Sequence, residues 1–88
     1  LLKVKLLYVK NKSVTAGQTL TLTGDFLGGV ATSPLFGSTA PTVVIGPGGY
    51  VALESPIDGF AVTSTTSDVL TVTNTVSFDY DIIIMGTV

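Results

Sequence analysis

The chain has 88 residues, the length of one small domain, and a net charge of −2 at pH 7. Apolar residues make up 45% and charged residues 11%, which excludes a disordered chain, and no apolar run approaches the ~20 residues of a membrane-spanning helix. Cysteine is absent, so a domain this small needs a stabilising device other than disulfides, and oligomerisation is the one left open.

The opening segment is a positively charged strand, because every lysine lies in it and every acidic residue follows it. The lysines are Lys3, Lys5, Lys10 and Lys12.

The chain begins at Leu1 and not at Met, which indicates processing, a clipped chain or missing leading residues. It is not expected to be a signal peptide, because lysines interrupt it and no small-residue cleavage site follows.

Period-two alternation predicts strands at 19–23, 50–54, 60–63 and 70–73, each with one apolar core face and one polar face, in which threonine is the main polar residue. Glycine and proline occupy the breaks, as in 46–49 and 55–59. With the two ends of the chain, this pattern predicts about seven strands. The expected fold class is all-β: one domain over 1–88, built as a small antiparallel β-sandwich, or a jelly roll or barrel.

The stretch from Asp25 to Pro41 is rich in glycine and proline and is predicted to be a long loop. It carries Phe26 and Phe36. Long loops often contact partners, so both aromatics are candidate interface residues. The alternative is that they fold back and close one end of the domain.

The two end strands share an unusual pattern, since both of their faces are partly apolar. In the segment 78–85, the predicted core face is Phe78, Tyr80, Ile82 and Ile84, and the opposite face ends in Ile83 and Met85. In the opening strand, the predicted core face is Val4, Leu6 and Tyr8, and the opposite face is Lys3, Lys5, Leu7 and Val9.

A strand that is apolar on both sides is covered by a loop or by another subunit, and the subunit is favoured in so short a chain. The candidate interface residues are therefore Lys3, Lys5, Leu7, Val9, Phe26, Phe36, Ile83 and Met85. Lys3 and Lys5 are expected to pair with Asp79 and Asp81, within or between chains.

The chain lacks several of the residue types on which catalytic and metal sites usually depend. Histidine, cysteine and arginine are all missing, which excludes the usual nucleophilic triads and ordinary zinc sites. No catalytic, metal or cofactor site is predicted. Nucleic-acid binding is not expected from an acidic chain, and no membrane contact is predicted. A two-carboxylate glycosidase stays formally open through the residues Glu54, Asp58, Asp79 and Asp81.

The closing half of the chain resembles the head-decoration (cement) proteins of tailed bacteriophages. The resemblance lies in three segments: 47–50 (PGGY), 70–74 (LTVTN) and 82–87 (IIIMGT). It implies a virion protein on the capsid surface that binds the capsid lattice, often as a dimer or trimer, and reinforces the shell.

Three function classes follow. The first is a non-enzymatic structural or assembly protein, such as a capsid decoration protein, whose partners are a capsid or other virion protein, itself, or both. The second is a carbohydrate-binding or adhesin module, extracellular, which requires an exposed aromatic platform from Tyr8, Tyr50 or Tyr80. The third is an enzyme, which requires a cleft lined by carboxylates.

Overall fold

The computed structural model describes residues 3–87. Leu1, Leu2 and Val88 lie outside the described residues. The beginning of the opening segment, in which no signal peptide is expected, therefore lies outside them as well. The described residues form seven strands and no helix. The strands are β1 (Lys3–Asn11), β2 (Leu20–Thr23), β3 (Val43–Ile45), β4 (Tyr50–Glu54), β5 (Phe60–Ala61), β6 (Thr71–Asn74) and β7 (Tyr80–Thr87).

All strand pairs are antiparallel, and they form two sheets. In the first sheet β1 is central, with β7 along one side and β4 followed by β5 along the other. In the second sheet β2 lies between β3 and β6. The all-β class and the number of strands are therefore confirmed, and the arrangement is a small β-sandwich with the core between the sheets.

The core is built from the inward faces of β1 and β2, together with one residue of β3 and two residues that follow β2. Its buried apolar residues are Val4, Leu7, Val9, Leu20, Leu22, Phe26, Leu27 and Ile45. Their counterparts on the outer faces are mostly threonine on β2 and β6. This division follows from the two-residue period of a strand.

A β-bulge in β1 changes which residues of that strand face the core. Val4 is opposite Gly86 and Leu6 is opposite Met85, so Lys5 is an extra residue in the ladder. The alternation therefore shifts by one, and Leu7, Val9 and Asn11 point inward while Leu6 and Tyr8 point outward. The predicted core face of this strand was wrong beyond Val4. Leu7, at 1% exposure, and Val9, at 0%, are core residues and not surface residues of the free chain.

The segment between β2 and β3 contains no strand, and part of it folds back on the sandwich. Phe26 and Leu27 are buried, and the Phe26 amide donates to the carbonyl of Val69 at 2.9 Å. Phe36 stays half-exposed, although its amide donates to the Leu27 carbonyl at 2.9 Å. Of the two loop aromatics, only Phe26 thus closes the end of the core.

A buried asparagine joins the end of β1 to its surroundings. Asn11 is fully buried, and its Nδ2 donates to the carbonyls of Gln18 and Ile45, each at 2.9 Å. Its Oδ1 accepts from the amide of Ser13 at 2.9 Å. Every side-chain hydrogen-bonding atom of Asn11 therefore has a partner, as a buried amide requires.

Ser67 shows the opposite situation, because its buried Oγ has no hydrogen-bond partner among the described residues. A buried hydroxyl without a partner opposes folding, whereas alanine fits the same space. We expect Ser67→Ala to raise the free energy of unfolding by up to ~1 kcal/mol, measured by urea denaturation. Because its Oγ donates to the Asp25 carbonyl, Ser33→Ala is the matched control and should destabilise the protein. A loss of stability in Ser67→Ala would contradict this account.

Candidate interaction surface

β7 is an edge strand that is exposed along its whole length. It pairs with β1 on one side, and the other side has no partner strand among residues 3–87. Each of its residues from Tyr80 to Thr87 is exposed. Four consecutive positions are large and apolar, namely Ile82, Ile83, Ile84 and Met85. An exposed apolar edge strand is a template for pairing with another chain, and isolated proteins usually protect such edges.

The hydrogen-bonding groups on the free side of β7 can be assigned from the ladder. The amide of Lys12 donates to the carbonyl of Asp79 at 3.2 Å, which continues the register of β1 with β7. Hydrogen-bonded pairs alternate along an antiparallel ladder, so Asp81, Ile83 and Met85 direct their backbone groups toward β1. Consequently Tyr80, Ile82, Ile84 and Gly86 direct theirs away from it. We call this row of unpaired backbone groups the β7 edge.

The outer face of the first sheet carries an apolar surface that crosses three strands. The register places Leu6 beside Met85, and Tyr8 between Ala52 and Ile83. Tyr50 lies one row further, opposite Lys10. We call this surface the outer patch; it consists of Leu6, Tyr8, Tyr50, Ala52, Ile83 and Met85. Its most exposed large members are Tyr50 at 65%, Met85 at 58% and Ile83 at 47%.

The tyrosines are divided between the two faces of the sheet. The rings of Tyr8 and Tyr50 are neighbours in the outer patch, with centroids 5.6 Å apart and planes tilted by 33°. Tyr80 is opposite Asn11 in the register and therefore lies on the inner face. The pair Tyr8–Tyr50 is packed as an aromatic contact, and the three tyrosines do not form one flat platform.

Charged side chains border the outer patch at the end where β7 begins. Lys10 is opposite Asp81 in the register, and Lys12 Nζ lies 3.8 Å from Asp81 Oδ1. Lys3 is opposite Thr87 at the other end of β7, and Lys5 Nζ donates to the carbonyl of Ile57 at 2.7 Å. The prediction that Lys3 and Lys5 pair with Asp79 and Asp81 within the chain was wrong, because the antiparallel register brings the aspartates to the other end of β1.

A small recess opens beside the inner face of β7. Its volume is about 120 Å³, and its walls are mostly apolar. The lining residues are Val4, Leu7, Phe26, Val62, Asp68, Leu70 and Ile84. Ile84 is half-exposed here, so the second sheet does not fully cover the inner face of β7. The predicted core face of this strand is thus inward but incompletely buried.

The candidate interface residues are distributed as follows. Ile83 and Met85 lie together in the outer patch. Leu7, Val9 and Phe26 lie in the core. Phe36 is half-exposed on the segment between β2 and β3. Leu6, Tyr8 and Tyr50 were not predicted as neighbours of Ile83 and Met85, because the bulge and the strand pairing that bring them together leave no local signal in the sequence.

Candidate metal ligands are not clustered in the described part of the chain. Groups of three or more histidine, cysteine, aspartate or glutamate side chains that could hold a metal ion are absent from residues 3–87. No helix of these residues is long and apolar enough to cross a membrane. Searches of protein families, curated proteins and solved structures gave no match.

Proposed function

We propose that this protein is a non-enzymatic structural protein that acts by binding other protein surfaces, as a component of a larger assembly. One observation carries the proposal: the outer patch joins exposed apolar and aromatic side chains from three neighbouring strands. Contiguous exposed apolar surface of this kind marks protein interaction sites. Tyrosine is also among the residues that contribute most to binding at such sites.

The composition of the outer patch also fits a protein–protein interface. Its centre is apolar or aromatic, and the charged residues Lys10, Lys12 and Asp81 lie around it. A buried apolar centre with a charged rim is the usual anatomy of a protein interface. The neutral threonine-rich face of the second sheet offers no comparable feature.

The assembly we propose is a virion, with the protein on the capsid surface as a decoration protein. Support comes from the resemblance of the closing half to head-decoration proteins, and from a chain without histidine, cysteine or arginine. Such a protein would contribute binding energy between lattice subunits and would require no catalytic group.

The test is co-sedimentation of the purified protein with capsids of the virus in whose genome the chain is encoded. We expect saturable binding, and we expect Tyr50→Glu to weaken it at least ~10-fold, because a charge would replace the most exposed aromatic side chain of the outer patch. Val44→Glu is the matched control, since Val44 is 59% exposed on the second sheet. It should bind as the unmodified protein does.

Two outcomes would overturn the proposal. Equal weakening by Tyr50→Glu and Val44→Glu would remove the outer patch as the contact surface. Absence of capsid binding by the unmodified protein, or a genome without capsid genes, would remove the virion assignment. Melting temperatures of both variants show whether a loss of binding reflects unfolding.

A further inference from the structure

We propose that the β7 edge pairs with the β7 edge of a second copy of this chain, antiparallel about a two-fold axis, with Ile83 opposite the partner's Ile83. The first sheets of two molecules would then form one continuous sheet. This inference rests on the proposed function, because it names the first partner of the same surface.

Backbone hydrogen bonding limits the possible registers. The backbone groups that are free on the β7 edge belong to Tyr80, Ile82, Ile84 and Gly86. Hydrogen bonds between the two copies must therefore join these residues of one chain to the same set in the other. With Ile83 on the axis, Ile82 pairs with the partner's Ile84 and Tyr80 with the partner's Gly86. All four residues are then satisfied on each chain, and the strands overlap along their full length.

Side-chain shape favours the same register on the inner face. Gly86 lies between Val4, a wall of the recess, and the free edge. Since Gly86 has no side chain, it adds no side-chain cover to the inner face beside Val4. In the proposed register the partner's Tyr80 lies beside Gly86, where its ring would cover this glycine on the inner face. Cross-strand pairing of an aromatic residue with a glycine is a known device for stabilising an exposed sheet.

Charge favours the antiparallel direction. Asp79 and Asp81 lie at the beginning of β7, and Lys3 is beside Thr87 at its end. Antiparallel pairing brings the acidic beginning of one β7 toward Lys3 of the partner subunit, whereas parallel pairing would align aspartates with aspartates.

On the outer face, the two outer patches meet at Ile83 and form a surface twice as large. A two-fold axis also closes the assembly at two copies, because each edge satisfies the other.

The test is disulfide cross-linking, and the absence of native cysteine makes single substitutions informative. Facing residues of a non-hydrogen-bonded antiparallel pair have Cα atoms ~4.5 Å apart, within the ~4.4–6.8 Å range of disulfides. We expect Ile83→Cys to oxidise to a dimer of twice the 9.0 kDa chain mass. Met85→Cys is the matched control. It is more exposed, but the partner's Met85 would be four residues away along the strand, ~13 Å, so we expect at least ~10-fold less dimer.

A second variant tests the hydrogen bonds themselves. Ile82→Pro removes an amide that points to the free edge, and proline is tolerated on that side of an edge strand. We expect light scattering across protein concentration to show a dimer for the unmodified protein and for Ile82→Val, and a monomer for Ile82→Pro. Circular dichroism confirms that Ile82→Pro remains folded.

The outcomes separate this inference from the proposed function. A monomer at every concentration, or equal cross-linking by Ile83→Cys and Met85→Cys, overturns the β7 pairing but leaves capsid binding by the outer patch intact. Dimers without capsid binding support the pairing and overturn the virion assignment. Preferential cross-linking by Met85→Cys would show a different register and would also overturn the inference.

Discussion

Leu7→Ala lowers the free energy of unfolding by about 3 kcal/mol, a value in the range for buried leucine residues. Leu7 is 1% exposed between the two sheets and also forms a wall of the recess beside β7. Removal of its side chain enlarges that recess and takes away contacts with the second sheet. Urea denaturation followed by circular dichroism measures the loss as a lower midpoint with an unchanged slope.

Leu6→Ala is the matched control for this prediction. Leu6 is the neighbouring residue, has the same side chain and lies on the outer face, where it is only partly buried. We expect a loss of less than ~1 kcal/mol, since less surface is returned to water. A reversed order, with Leu6→Ala the more damaging, would contradict the position of the β-bulge at Lys5.

Asn11→Leu is expected to destabilise the protein by about 3 kcal/mol or more. The leucine side chain has the same branching with larger terminal groups, and it leaves the carbonyls of Gln18 and Ile45 and the amide of Ser13 without their partners. Each buried group that loses its partner costs about 1–3 kcal/mol, partly relieved if water enters. The measurement is again the free energy of unfolding in urea.

Asn11→Asp tests the same network with a side chain of equal shape. Its carboxylate would face two carbonyl oxygens, so the charged form is disfavoured in the folded state and the pKa of this aspartate is raised. The folded state then binds a proton more tightly than the unfolded state. Stability of the variant is therefore greatest below the unfolded pKa of ~3.9 and falls as the pH rises toward neutrality. A variant whose stability rises over this range, relative to the unmodified protein, would contradict the assigned contacts.

Strand positions could largely be predicted from the sequence, because alternation of apolar and polar residues is a local property. The strands β2, β4, β6 and β7 lie within two residues or so of the segments that alternation marks. β3 was not identified individually. It has only the three residues Val43–Ile45, too few for a two-residue period to be recognised.

Face assignment failed in β1 for a physical reason. One extra residue at Lys5 reverses the facing of every residue that follows, and a bulge depends on pairing with a strand almost eighty residues away in the chain. Ile83 and Met85 were correctly placed on an outward, partly apolar face of β7. Leu7 and Val9, assigned to the corresponding face of β1, belong to the core.

The sequence by itself determined the all-β class, the approximate number of strands and the apolar character of both faces of β7. These properties follow from composition and from patterns a few residues long. Only the tertiary structure decided that β7 is an edge strand, that Tyr8, Tyr50, Ile83 and Met85 share one surface, and that Lys12 rather than Lys3 or Lys5 lies near Asp81. These depend on which strands pair and in which register, and the energies that choose a register come from burial and hydrogen bonding between distant segments.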